Sequence, residues 1–155
     1  MATALVDALG IQAPAGGRTF PSPEAMARAG DDFYRDTART GYRGAYLRAL
    51  ADDVASGAVD LEVLNDPALP DAEVEGRLLA LPGVGPYAAA HVMLTSLGRY
   101  SRLVLDSWTR PAYAKLRGRK TSDKAIARHF RRYGEFAGLA FWMTLTRDWV
   151  DDGIQ

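Results

Sequence analysis

The sequence predicts an all-α fold, and three observations carry the prediction. Ala, Leu and Arg, all good helix formers, are the commonest residues. Apolar and polar residues alternate only in fragments too short to make strands. Helix start and stop signals recur along the chain, with glycines at 10, 41, 57 and 134 standing where helices should end. At 155 residues, 48% of them hydrophobic, the chain is long enough to bury a core, and it reads as a single domain over 1–155.

The elements follow in order. A first helix covers about 2–9 and stops at Gly10. Residues 11–21, with Pro14, Gly16, Gly17 and Pro21, form a loop. Ser22-Pro23-Glu24 opens the next helix: Ser caps, Pro fits the first turn, and the acid sits at the positive end of the helix dipole. Further helices are predicted at about 31–39, 43–56 and 71–80, with a short turn near 61–65. Beyond a Gly/Pro-rich hairpin come helices near 87–97, 107–116, 122–133 and 135–149. Pro111 fits only a first turn, which moves the start of the third-last helix to 108–110. Thr121 or Ser122 caps the next, and Gly134 separates it from the last. No repeat, linker or low-complexity tract interrupts this pattern.

Composition excludes several classes of function. The chain has no cysteine, so disulfides, thiolate zinc sites and cysteine-ligated iron–sulfur clusters are ruled out. His91 and His129 are the only histidines, too few for a histidine-rich metal site. The opening MATALVDALG lacks a basic region and carries Asp7, unlike a signal peptide. Residues 78–98 hold no Lys, Arg, Asp or Glu, but Pro82, Gly83, Gly85 and Pro86 break the stretch. It reads as a buried hairpin, not a membrane span, in a soluble cytoplasmic protein expected to be a monomer and to use no cofactor.

Charge is unevenly spread although the formal net charge is +0. Residues 51–78 carry eight carboxylates against Arg77 alone. Residues 99–132 carry eleven basic residues against Asp106 and Asp123. Solvated helix faces account for many such runs. A basic block that directly follows the hairpin points instead to a polyanion.

The sharpest local signal is LPGVGPYAA, Leu81 to Ala89, inside a hairpin spanning about 71–97. Pro82 and Gly83 stop one helix. Gly83-Val84-Gly85 makes a tight turn whose glycines leave backbone N–H groups uncovered, with Val84 packing inward. Pro86 starts the next helix, whose own free N–H groups complete an anion site fitted to one phosphate. That helix is apolar on nearly all sides, which predicts a central position. Nineteen positions after Tyr87, Asp106 follows the apolar run Leu103-Val104-Leu105 at a helix start, in RLVLDSWTR. An acid there caps the helix. Helix N–H groups also hold a half-desolvated carboxylate ionised, able to stabilise a cation.

LPGVGPYAA followed by LDSWTR resembles the helix-hairpin-helix DNA glycosylase superfamily, whose signature is a Gly/Pro-rich hairpin with an aspartate about twenty residues later. The resemblance is strongest over 75–112. It extends more weakly from GYRGAYLRALA (41–51) to YGEFAGLAFWMTL (133–145), similar to the closing helix of cluster-free members. It implies a helical glycosylase-like domain that flips a damaged base from double-stranded DNA and hydrolyses its N-glycosidic bond. Asp106 would be the catalytic carboxylate, stabilising an oxocarbenium-like sugar. Leu81, Gly83, Val84, Gly85 and Tyr87 would hold a phosphate, with room for a monovalent cation at the hairpin backbone of 81–86 and no metal on side chains. Arg110 would bind phosphate or pair with Asp106. His91, Tyr87 and Trp108 would line a base pocket. Bifunctional members carry a hairpin lysine that forms a Schiff base; Tyr87 stands there, implying a monofunctional enzyme. Members also have helices before the stretch matching MATALVDALG, so this sequence reads as shortened. The competing readings are a non-catalytic hairpin module that only binds DNA and a helical protein-interaction domain. Tyr34, Tyr42, Tyr46, Phe141 and Trp142 read as core.

Overall fold

Short-range capping sets most helix boundaries in the computed structural model, which describes residues 1–149. Helix α1 (Ala2–Leu9) ends where the Gly10 N–H bonds the Val6 carbonyl at 2.9 Å. Helix α2 (Pro23–Arg28) starts with Pro23 in its first turn, and Ser22 Oγ accepts the Ala25 N–H at 3.3 Å. Helices α3 (Arg43–Ala55), α4 (Asp71–Leu79), α5 (Pro86–Thr95), α6 (Thr109–Arg117), α7 (Asp123–Phe130) and α8 (Ala137–Thr146) follow. Ser122 caps α7 through the Ala125 N–H, and α6 starts within the 108–110 window that Pro111 requires. The fold is all-α: no strand occurs among the described residues, and one isolated bridge between Gln12 and Arg18 closes the 11–21 loop.

The chain divides into two compact units, Met1–Asn65 with Leu81–Gly83, and Asp66–Ala80 with Val84 onward. The first is built on Leu5, Met26, Tyr34, Ala38 and Ala51. Here the helix expected over 31–39 shows a π-helical turn, Phe33–Thr37. Tertiary packing explains it. The buried Tyr34 sends its hydroxyl to the Met26 carbonyl at 2.7 Å, and the Thr40 N–H and hydroxyl both take the Tyr34 carbonyl at 3.0 Å. Tyr42 and Tyr46, read as core, are exposed instead, and the Arg43 guanidinium lies 4.7 Å from the Tyr42 ring centre.

The second unit packs α6, α7 and α8 around Tyr113, Ile126, Phe130, Phe141 and Leu145. Phe130 and Phe141 meet edge to face at 5.2 Å, a favoured aromatic geometry. Helix α4 lies against α5. Part of the acidic run neutralises part of the basic run: Arg99 pairs with Asp71 at 2.9 Å and Arg102 with Glu75 at 2.7 Å. Arg99 also donates to the carbonyls of Leu69 and Asp66. The extended stretch before Asp106 is laid between layers. Val104 buries against Ala90 and Leu94, while its neighbours Leu103 and Leu105 meet the α6–α8 core. The Gly138 and Leu139 N–H groups at the start of α8 donate to the Tyr100 carbonyl at 2.7 and 3.3 Å.

Three boundaries moved. Helix α5 is Pro86–Thr95, and it is not buried all round: Ala89, Ala90, Met93 and Leu94 face the core, while Tyr87 is 48% exposed. The expected 122–133 and 135–149 helices shorten to α7 and α8, because a 3-10 turn over Arg131–Phe136 bends at Gly134. A second 3-10 turn, Arg147–Trp149, follows α8. Among the described residues no helix is long and apolar enough to cross a membrane.

Candidate active site

The two hairpin glycines serve different ends. Gly83 has φ +73°, and a Cβ there would run into the ring of Tyr46 in the same unit. Its missing side chain is therefore needed inside the protein, where the sequence alone suggests an anion as the reason. Gly85 has the extended φ −98° and ψ 178°, which any residue adopts, and nothing lies within 4 Å of a Cβ built there. It caps α5, whose first bond runs from the Ala89 N–H to the Gly85 carbonyl at 2.9 Å. The N–H groups of Gly85, Tyr87 and Ala88 thus precede the helical ladder without an acceptor among the described residues. Uncapped N–H groups at a helix start carry partial positive charge, the kind of arrangement that can receive an anion. Leu81 and Val84 are half-buried.

These roles predict opposite outcomes. Gly83→Ala should lower stability by about 1–3 kcal/mol in urea unfolding, since a side chain is strained at positive φ. Gly85→Asp places a favoured capping residue on α5 and should leave stability equal or higher. It should still weaken binding to damaged and undamaged duplex alike, because a carboxylate then occupies the phosphate position. Equal DNA affinity in Gly85→Asp and wild type would remove the α5 N-terminus from the interface.

Asp106 heads α6. Its Oδ1 accepts the N–H groups of Trp108 and Thr109 at 2.9 and 2.6 Å, and its own N–H donates to the Thr109 hydroxyl at 2.8 Å. The Arg110 N–H bonds back to the Asp106 carbonyl at 3.3 Å, closing the first helical turn. Burial pushes the carboxyl pKa upward. The Thr109 N–H and hydroxyl, the Trp108 N–H and the nearby Arg110 charge together outweigh it and hold the carboxyl below the ordinary carboxylate value. Both backbone bonds fall on Oδ1. Oδ2 accepts none among the described residues, so the capping role leaves half of an ionised carboxylate free.

Arg110 does not pair with Asp106. Its guanidinium holds Asp123 with two bonds, 2.9 and 3.0 Å long. It remains exposed and contributes only its field to Asp106.

An aromatic cluster lies within the same unit as Asp106. The Tyr87 and His91 rings are 5.7 Å apart, one helical turn along α5. His91 meets Trp142 edge to face at 5.6 Å, and Trp142 meets Trp108 at 5.9 Å. Trp149 touches both tryptophans, at 5.5 Å from Trp108 and 6.0 Å from Trp142. The three residues predicted to line a base pocket, His91, Tyr87 and Trp108, are thus joined by two that sequence reasoning did not assign to it. Trp142, read as core, is half-buried, and Trp149 is exposed. Their spacing of seven, two helical turns, was the available signal. Trp108 is 41% exposed, so the cluster offers open ring surface. His91 Nδ1 is buried without a hydrogen-bond partner among the described residues, an uncommon state for a polar atom. No group of three or more His, Asp or Glu side chains suited to a metal occurs among the described residues.

No family model matches the chain. It is 31% identical over 132 residues to the N-glycosylase/DNA lyase OGG1 of Arabidopsis thaliana, a match that covers 78% of this chain and 36% of the plant protein. The solved complex of MBOgg1 with a low-affinity DNA ligand superposes with a TM-score of 0.78 at 26% identity, over 96% of this chain and 53% of that one. The Clostridium acetobutylicum 8-oxoguanine glycosylase/lyase bound to double-stranded DNA gives 0.79 at 24% identity, over 97% and 53%. The 3-methyladenine DNA-glycosylase of Archaeoglobus fulgidus gives 0.71 at 22%, over 97% and 52%. The chain therefore spans about half the length of these solved relatives, and less of the plant one.

Proposed function

We propose that this chain is a helix-hairpin-helix DNA glycosylase that removes a damaged base from duplex DNA by hydrolysis alone. The observation that carries the reading is Asp106: a carboxylate kept ionised by helix N–H groups, with Oδ2 free, in the unit that also holds the aromatic cluster. In the proposed reaction the C1′–N bond breaks with its electron pair going to the base. Positive charge grows on the sugar as it does, and the Asp106 carboxylate stabilises it. Water then bonds C1′, loses a proton and leaves an abasic site. The open faces of Tyr87 and Trp108 would stack the extruded base, since every base has a π-face. The free N–H groups of Gly85, Tyr87 and Ala88 would hold a backbone phosphate.

Hydrolysis without strand cutting rests on the lysines. Schiff-base chemistry needs an unprotonated amine at C1′. The chain has only Lys115, Lys120 and Lys124. Lys115 sits in the last turn of α6, Lys120 beyond its end and Lys124 in the first turn of α7. Tyr87, at the position of the hairpin lysine, offers a phenol. A panel of duplexes, each with one lesion, should therefore yield strand breaks only after hot alkali, and borohydride should trap no protein–DNA adduct. A trapped adduct would refute the hydrolytic reading. Intact binding with no base release from any lesion would favour a module that only binds DNA.

A further inference from the structure

Most basic residues on the early part of the second unit are matched by carboxylates, as Arg99, Arg102 and Arg110 are by Asp71, Glu75 and Asp123. From Lys115 to Arg132 no basic residue forms an ion pair among the described residues, and pairing resumes at Arg147 with Asp148. The end of α6 and the body of α7 enclose a cavity of about 200 Å³ lined by Arg117, Arg119 and Arg128 with His129 and Tyr113. The turn after α6 sets one wall: the Arg119 N–H bonds back to the Ala114 carbonyl at 3.1 Å. None of the three arginines forms an ion pair among the described residues, and no carboxylate lines the space.

Arginines that line one space without a counter-ion repel one another, and an anion among them relieves that repulsion. Guanidinium forks match phosphate oxygens in geometry as well as charge. The volume accommodates a tetrahedral oxyanion with water, each water needing about 30 Å³. His129 senses the same field: burial, then the charges of Arg132 and Arg117, hold its pKa below the usual histidine value. Arg132 approaches His129 Nε2 at 3.3 Å.

We propose that this cavity binds a phosphate group through Arg117, Arg119 and Arg128, at a site separate from the N-terminus of α5. The group has two sources, the backbone of a DNA strand and inorganic phosphate. The inference rests on charge and cavity alone and stands or falls apart from base excision.

Because the chain has two histidines, proton NMR separates His129 from His91. Inorganic phosphate at constant ionic strength should shift the His129 ring signals and raise the pH of its titration, leaving His91 in place. The Arg119→Gln/Arg128→Gln variant, altered only at exposed positions, should keep its circular dichroism and lose the response. Duplex DNA identifies the source. If a strand phosphate fills the cavity, the slope of log affinity against log salt should become shallower by about one for each phosphate the variant no longer neutralises. The change should be equal for damaged and undamaged duplex, with single-turnover base release at saturating DNA unchanged. The charge-matched Lys124→Gln/Arg131→Gln control should leave the His129 response to phosphate intact and gives the slope change that loss of two charges outside the cavity produces. A phosphate response with a salt slope changed no more than the control's assigns the cavity to inorganic phosphate. A silent His129 together with a slope no different from the control overturns the proposal.

Discussion

Asp106→Asn should lower the single-turnover rate of base release by about three orders of magnitude while DNA affinity stays within a few-fold. A carboxylate 4 Å from a cationic sugar is worth about 4 kcal/mol at an effective dielectric constant of 20, and each ~1.4 kcal/mol is tenfold in rate. The substitution is clean for a local reason. Asn is as good a helix cap as Asp, so its side-chain oxygen keeps the Trp108 and Thr109 N–H bonds that Oδ1 accepts. Only the charge is removed. Wild-type activity in this variant would end the assignment of Asp106. The pH profile gives a second check. The Asp106 pKa is depressed in the folded protein, so the carboxylate is ionised throughout the neutral and mildly acidic range. Its contribution to stability is complete above the unfolded value of about 3.9 and is lost as pH falls below that, through the native value. An acid limb of activity between pH 5 and 7 therefore belongs to another group.

Gly138→Ala is expected to be the most damaging single methyl group in the second unit. A Cβ at Gly138 would overlap the carbonyls of Arg102 and Tyr100, which are backbone atoms that cannot rotate away. The overlap falls where α8 meets the extended stretch that carries Asp106, through the Gly138 N–H bond to the Tyr100 carbonyl. Relief requires that stretch to separate from α8, which also disturbs Leu103, Val104 and Leu105 between the core layers. Overpacking of this kind costs on the order of 3 kcal/mol. Urea unfolding should show the loss, and base release should fall with it, because Asp106 is four residues beyond the clash. The contrast is Met143→Ala on the same helix: Met143 is 57% exposed, and its truncation should shift stability by less than about 0.5 kcal/mol. Equal stability of Gly138→Ala and wild type would show that the two segments are not packed this closely.

What was legible in the string of letters is what neighbours within about four residues decide. Ser22 and Ser122 cap their helices as read, Gly10 ends the first helix, and Pro111 places the start of α6. The capping geometry of Asp106 is of the same kind, since the backbone N–H groups its carboxylate accepts lie within three positions. Such bonds depend only on residue type and local dihedrals. The spacing of hairpin and aspartate likewise carried the resemblance to helix-hairpin-helix glycosylases. Which distant side chains meet emerged only from the packed chain. Trp142 and Trp149 joined Tyr87, His91 and Trp108 because α5, the start of α6 and the end of α8 come together, which no local signal specifies. Arg110 chose Asp123 over Asp106 because α7 presents a carboxylate that two of its guanidinium nitrogens reach. Gly83 and Gly138 are glycines for what packs against them, Tyr46 in one case and a backbone carbonyl in the other. Packing at near-crystalline density makes such neighbours depend on the position of every layer at once. Residue type alone therefore cannot say whether a glycine serves a turn, a neighbour or a ligand.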